Sequence, residues 1–313
     1  MDNGHLRALE KRLGWTRWVQ SDECLHLYKT SEQTGTYSDI ENLRLMVFEI
    51  LSWAGGTYFV TQPFCSMIEQ VRHDIPDEIK MEPNWPLTRN GFVLFDRPFR
   101  NSLNPDMVAD MNRRGLNAID AVDALGWASL HNDTVLVFIV LADLEHIPWA
   151  RVRYGCMPIS IFGVPFGTSI QQILGLRKER IAKGLQPALE RADERRDCIH
   201  LSFTTLYLMA QKIARMVTMK PPRSVRRRME QQLPAFEPAV RVVSLRREHQ
   251  VPKLNGQGHP VDWQFKWIVR WHWRNQYLPS TGEHRWTVID SYVKGPPDKP
   301  LKPPSPQIFV AHR

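Results

Sequence analysis

The chain has 313 residues, of which 42% are hydrophobic and 24% charged, a balance that excludes a mostly disordered chain and leaves room for two domains. Its longest apolar run, Val135 to Ala142, is eight residues, whereas a membrane-crossing helix needs about 20, so an integral membrane protein is excluded and no membrane partner is expected. The net charge is +8, but residues 201–313 hold 19 basic and 7 acidic side chains while the first 200 residues hold 22 and 26. This skew points to a basic C-terminal unit that attracts polyanions; the alternative is a solvated surface that aids solubility.

The first residues lead into a charged stretch with no apolar core, so no secretory signal is expected. Four dispersed cysteines, Cys24, Cys65, Cys156 and Cys198, make neither a disulfide framework nor a zinc pattern and fit a reducing cytoplasm. Residues 1–35 read as a short helix and a polar turn. Ile40, Leu43, Val47 and Ile50 recur at helical spacing, predicting a helix from Tyr37 to Trp53 that Gly55 and Gly56 stop. Tyr58–Val60 reads as a strand and Phe64–Val71 as a helix. Residues 76–90 are a proline-rich loop, and Gly91–Phe95 reads as a strand. A helix is expected over Met107–Trp127, then strands over Thr134–Leu141 and Ile159–Val164. Helices are expected over Ser169–Lys183 and over Pro187–Lys220.

The expected fold class is α+β, with a mixed α/β body over residues 1–220. The prolines Pro221, Pro222, Pro234 and Pro238 surround the run Arg226–Arg228, and residues 221–239 read as a basic linker. Residues 240–313 read as a small antiparallel β module, beginning with a strand at Val240–Leu245. Within it, Trp263, Phe265, Trp267, Val269, Trp271 and Trp273 alternate with Gln264, Lys266, Ile268, Arg270, His272 and Arg274. Period two over this length is the pattern of a half-buried strand with an aromatic face and a cationic one. Trp263, Trp267 and Trp271 would also line a helix, but these residue types favour strands. Leu278–Gly282 reads as a hairpin turn and His284–Val293 as a return strand. The tail from Pro296 to Pro306 is expected to be extended, and Gln307–Ala311 could add a last strand.

Lys266, Arg270, His272 and Arg274, joined by Arg285 if the register allows, could track a phosphodiester backbone, with Arg226, Arg227 and Arg228 nearby. Single-stranded RNA is preferred to duplex DNA because no recognition-helix motif is apparent and aromatics on a basic sheet suit unpaired bases. The aromatic face is expected to be core, since aromatic stripes usually pack inside, with a tryptophan at the sheet rim free to stack on a base. No metal site or cofactor is expected: the histidine spacings are too wide, no cysteine follows Cys198, and Gly163–Ser169 lacks the lysine of a phosphate loop. Whether the chain is an enzyme is left open. The weak catalytic option is metal-free RNA cleavage, with His272 and His284 as base and acid.

The segments Trp271–Ser280, His284-Arg285 and Tyr292–Leu301 form a signature that resembles uncharacterised proteins of actinobacterial phages and mobile elements. Gly91–Pro98 resembles a second element of the same proteins. The resemblance implies a phage or mobile-element accessory protein but carries no chemistry. The layout of a mixed body and a Trp/His/Arg-rich sheet also resembles, more distantly, type V anti-CRISPR proteins acting on a nascent effector. That would imply a surface recognising a host or defence protein, so a protein-interaction module or inhibitor stands as the second functional expectation.

Overall fold

The computed structural model describes residues 3–30, 40–52, 55–100, 121–130, 132–146, 155–182, 192–211, 213–232, 237–245, 267–269, 271–289 and 292–294. The chain divides into two compact units, Met1–Arg246 and Arg247–Arg313. It is an α+β protein with a large mixed sheet and a small β-rich C-terminal part.

The first unit opens with helices α1 (Asn3–Val19), α2 (Asp22–Thr30) and α3 (Ile40–Ser52). Strand β1 (Gly56–Val60), helix α4 (Gln62–Val71) and strands β2 (Asn90–Arg100), β3 (Ala121–Leu130), β4 (Val135–Asp143) and β5 (Cys156–Pro165) follow. Helices α5 (Ile170–Ala182) and α6 (Ala192–Met209), strand β6 (Ala214–Met219), helix α7 (Arg223–Gln232) and strand β7 (Val240–Leu245) complete it. The seven strands form one sheet in the order β5-β4-β3-β2-β1-β7-β6. β1 runs parallel to both β2 and β7, and the remaining pairs are antiparallel.

All five residues of β1 are buried because both of its faces are covered. Alternation sends Thr57 and Phe59 to one face, where Phe59 joins Phe92, Leu94, Ala124, Ile139 and Leu141 in a core with Leu9 and Leu13 of α1 and Val47 and Ile50 of α3. On the opposite face Tyr58 stacks on Trp127 at 5.6 Å. Gly91 makes room for that indole: a Cβ there would lie 2.1 Å from the Trp127 ring. Asn132 and Asp133 both take positive φ, 55° and 63°, and so supply the tight turn that joins β3 to β4.

Four expectations are overturned. Ala121–Trp127 is strand, not helix. A strand buried on both faces has a near-continuous apolar sequence, in which the helical and extended periods look alike. The helix expected to reach Lys220 ends at Met209, and Ala214–Met219 forms β6. Residues 221–239 are not a simple linker: 223–232 form α7, whose Val225 and Met229 pack into the core one helical turn apart. Val240–Leu245 belongs to the large sheet, between β1 and β6, rather than to a separate module. The basic excess is therefore shared: residues 201–246, in the first unit, carry 9 basic and 2 acidic side chains, and residues 247–313 carry 10 and 5.

The second unit contains β8 (Trp267–Val269), β9 (His272–Leu278), β10 (Glu283–Ile289) and β11 (Tyr292–Lys294). β9 and β10 form an antiparallel hairpin, and β8 pairs antiparallel with β11. The described parts of Val261–Tyr277 are extended, as the period-two pattern requires. The tail from Pro296 onward lies outside the described residues.

Candidate nucleic-acid interface

The hairpin is closed at its tip by Thr281 and Gly282, whose N–H groups donate to the Leu278 carbonyl at 3.2 and 2.9 Å. Gly282 sits at φ +70°, a conformation that glycine adopts without strain. This turn sets the register, in which Arg285 faces Gln276, Thr287 faces Arg274 and Ile289 faces His272. Residues directly opposite share a face. One face of the ribbon therefore carries His272, Arg274, Gln276 and Leu278 of β9 and Glu283, Arg285, Thr287 and Ile289 of β10. His272, Arg274, Gln276 and Glu283 are exposed, and the other four are half-buried. Arg274 makes no ion pair among the described residues.

The other face carries Trp273, Asn275, Tyr277, His284, Trp286 and Val288. Trp273 and Trp286 are half-buried and Val288 is buried, so this face is apolar toward the open end of the hairpin. At the tip it is not: Tyr277 is 52% exposed, and its ring lies 5.2 Å from that of His284.

Of the expected site residues, the register brings His272, Arg274 and Arg285 together. Lys266 and Arg270 lie outside the described residues. Arg226, Arg227 and Arg228 lie in the first unit on α7, with Arg226 3.7 Å from Glu230 and the other two exposed. The paired-histidine arrangement for RNA cleavage is overturned. His284 faces Tyr277, on the side opposite His272, and five residues of strand separate the two positions, about 17 Å at 3.3 Å per residue. Two imidazoles so placed cannot act as base and acid on one phosphate.

A second cluster, in the first unit, was not anticipated from the sequence. Asp123 on β3 and Asp143 at the end of β4 are both buried. Asp123 accepts from the Asp143 N–H at 2.8 Å through one oxygen and meets His146 Nδ1 at 2.8 Å through the other. Lys11 of α1 pairs with Asp143 and, at 2.9 Å, with Glu145, while Arg7 approaches Glu145 at 3.8 Å. The hydrogen bond to Asp123 raises the His146 pKa, burial lowers that of Lys11, and the Lys11 hydrogen bond lowers that of Glu145. Asp143 and Glu145 thus have cationic partners, Asp123 is held by the Asp143 N–H and the His146 ring, and the cluster straps α1 to the ends of β3 and β4. Its one legible trace is the run Asp143-Leu144-Glu145-His146 at the close of an apolar strand.

Two other polar clusters are also structural. The Arg12 guanidinium is fully buried, donates to Leu51 O at 2.8 Å and Thr57 Oγ1 at 2.7 Å, and is pushed down to about 9 by burial. His200 lies against the Arg72 carbonyl at 3.2 Å and Asp77 at 3.3 Å, and burial lowers its pKa. The thiols of Cys24, Cys65 and Cys156 are poor nucleophiles, since burial raises the first to about 12, the second to about 11 and the third well above the usual range.

No protein-family model, curated protein or solved structure matches this chain. No helix among the described residues is long and apolar enough to cross a membrane.

Proposed function

We propose that the protein binds nucleic acid through the β9–β10 hairpin, single-stranded RNA in preference to duplex DNA, as an accessory protein of a phage or mobile element. The observation that carries this reading is the register, which aligns Arg285 with Gln276 on the face that also holds Arg274 and His272. Two guanidinium groups two residues apart along the ribbon, that of Arg274 exposed and that of Arg285 half-buried, match successive phosphates, and glutamine and histidine add hydrogen bonds to sugar or base. The preference for single strands rests on the tip, where Tyr277 and His284 offer exposed rings on the reverse side. A strand passing around the tip meets cations on one side and stacking surfaces on the other, whereas a duplex is too stiff to do so.

Fluorescence anisotropy with a labelled single-stranded RNA over a salt series tests this. The logarithm of the affinity should fall linearly with the logarithm of salt, and Arg274→Ala should reduce the slope by about 1, one phosphate contact. Salt-independent affinity overturns the reading.

A further inference from the structure

The two edges of the seven-stranded sheet are built differently. β5 contains Pro158 and Pro165, which have no N–H to offer, and its pairing with β4 shifts register between Val140 and Leu141. Prolines and irregular pairing are ordinary devices for blunting an edge. β6 at the other edge has neither. Its six residues contain no proline, its pairing with β7 is regular from Ala214 to Met219, and Arg215, Val217 and Thr218 are exposed, Val217 by 43%. Among the described residues no strand pairs with its outer side. In an antiparallel pair alternate residues direct N–H and C=O away from the partner, so this edge presents a row of alternating donors and acceptors.

A strong positive charge flanks the edge. Residues 214–232 hold six cations, Arg215, Lys220, Arg223, Arg226, Arg227 and Arg228, against the single carboxylate of Glu230. All of these cations except Arg226 are exposed. Val225 and Met229 of α7 share a core cluster with Met219 of β6 and Val240 and Val242 of β7, which holds the arginine-rich helix against this end of the sheet.

We propose that the β6 edge is a docking site for an extended acidic segment of a partner protein, which adds to the sheet as an eighth strand. Backbone pairing supplies the affinity of such strand addition, and side-chain pockets and charge supply its selectivity. Two other occupants fit less well. A second copy of this chain would bring two sets of six cations together. A nucleic-acid backbone offers only acceptors along its phosphates, so half of the β6 edge groups, the carbonyls, would face like-charged oxygen. The proposal stands independently of the hairpin.

The test uses the full chain and a labelled short peptide of alternating glutamate and valine, followed by anisotropy. A version N-methylated at alternate backbone amides keeps the charge but cannot complete the ladder. The expected results are saturable binding of the parent peptide, a loss of about tenfold or more on N-methylation, and a similar loss for Arg223→Glu with Arg227→Glu. These arginines are exposed, so the variant should keep the thermal midpoint of the parent. Bound peptide should slow amide exchange over 214–219 and leave 272–289 unchanged. Equal binding of the two peptides, displacement of the peptide by an equal concentration of single-stranded RNA, self-association of the chain through β6, or no peptide binding each overturns the proposal.

Discussion

His146 Nδ1 lies 2.8 Å from Asp123 Oδ1, joining the turn that follows β4 to a carboxylate buried in β3. The pairing raises the His146 pKa above its value in the unfolded chain. A raised histidine pKa contributes stability that is fully present below the unfolded value and is lost as pH rises through the folded one. The thermal midpoint should therefore decline as pH rises above the ordinary histidine pKa of about 6.5. The effect amounts to about 1 kcal/mol once the partial exposure of His146 is discounted. Calorimetry over this rise in pH checks it, and His146→Gln should flatten the decline.

Lys11 is the partner that allows Asp143 to remain charged while buried. Lys11→Met should cost about 3 kcal/mol, because it strands a buried carboxylate. Adding Asp143→Asn should recover part of that loss, since the amide carries no charge and its oxygen can still accept the Glu145 N–H. Urea denaturation of the single and double variants measures the coupling. Equal stability of parent and Lys11→Met would show that the strap contributes nothing.

The ion pairs of Lys11 also illustrate what the sequence conceals. Lys11 and Glu145 are 134 positions apart, and no local pattern links them. Helix α3 is legible because Leu43, Val47 and Ile50 recur at helical spacing and are buried. β6 is not, because Ile213, Met216 and Val217 continue the spacing of α6 closely enough to pass for the same helix. α7 hides for the opposite reason: its two prolines precede it, where helices tolerate them, yet in sequence they read as breaks. In the hairpin, alternation separates cationic from aromatic positions within each strand. Only the turn geometry decides that Arg285 joins Arg274 while His284 does not join His272.

Gly91 is fixed by contact rather than by backbone conformation. A methyl group there would lie 2.1 Å from the Trp127 ring, and that indole also donates from Nε1 to Thr88 O at 2.9 Å. Gly91→Ala should destabilise by about 3 kcal/mol, the upper range for overpacking a core. Trp127→Leu in the same chain should restore part of the loss by vacating the space. Denaturant midpoints of the three variants decide this, and a neutral Gly91→Ala would mean that the indole can shift freely.

Tyr277 offers the sharpest separation between stacking and charge, because its ring is exposed while Arg274 lies on the opposite face. Tyr277→Ala should weaken single-stranded RNA binding by about 1–3 kcal/mol, the usual worth of one base-stacking contact, and leave the salt slope unaltered. Arg274→Ala should show the reverse signature, a lower slope with a smaller loss at high salt. Tyr277→Phe should bind like the parent, since the ring and not the hydroxyl supplies the surface. If Tyr277→Ala binds as tightly as the parent at every salt concentration, the tip is not a stacking platform and the cationic face alone must hold the strand.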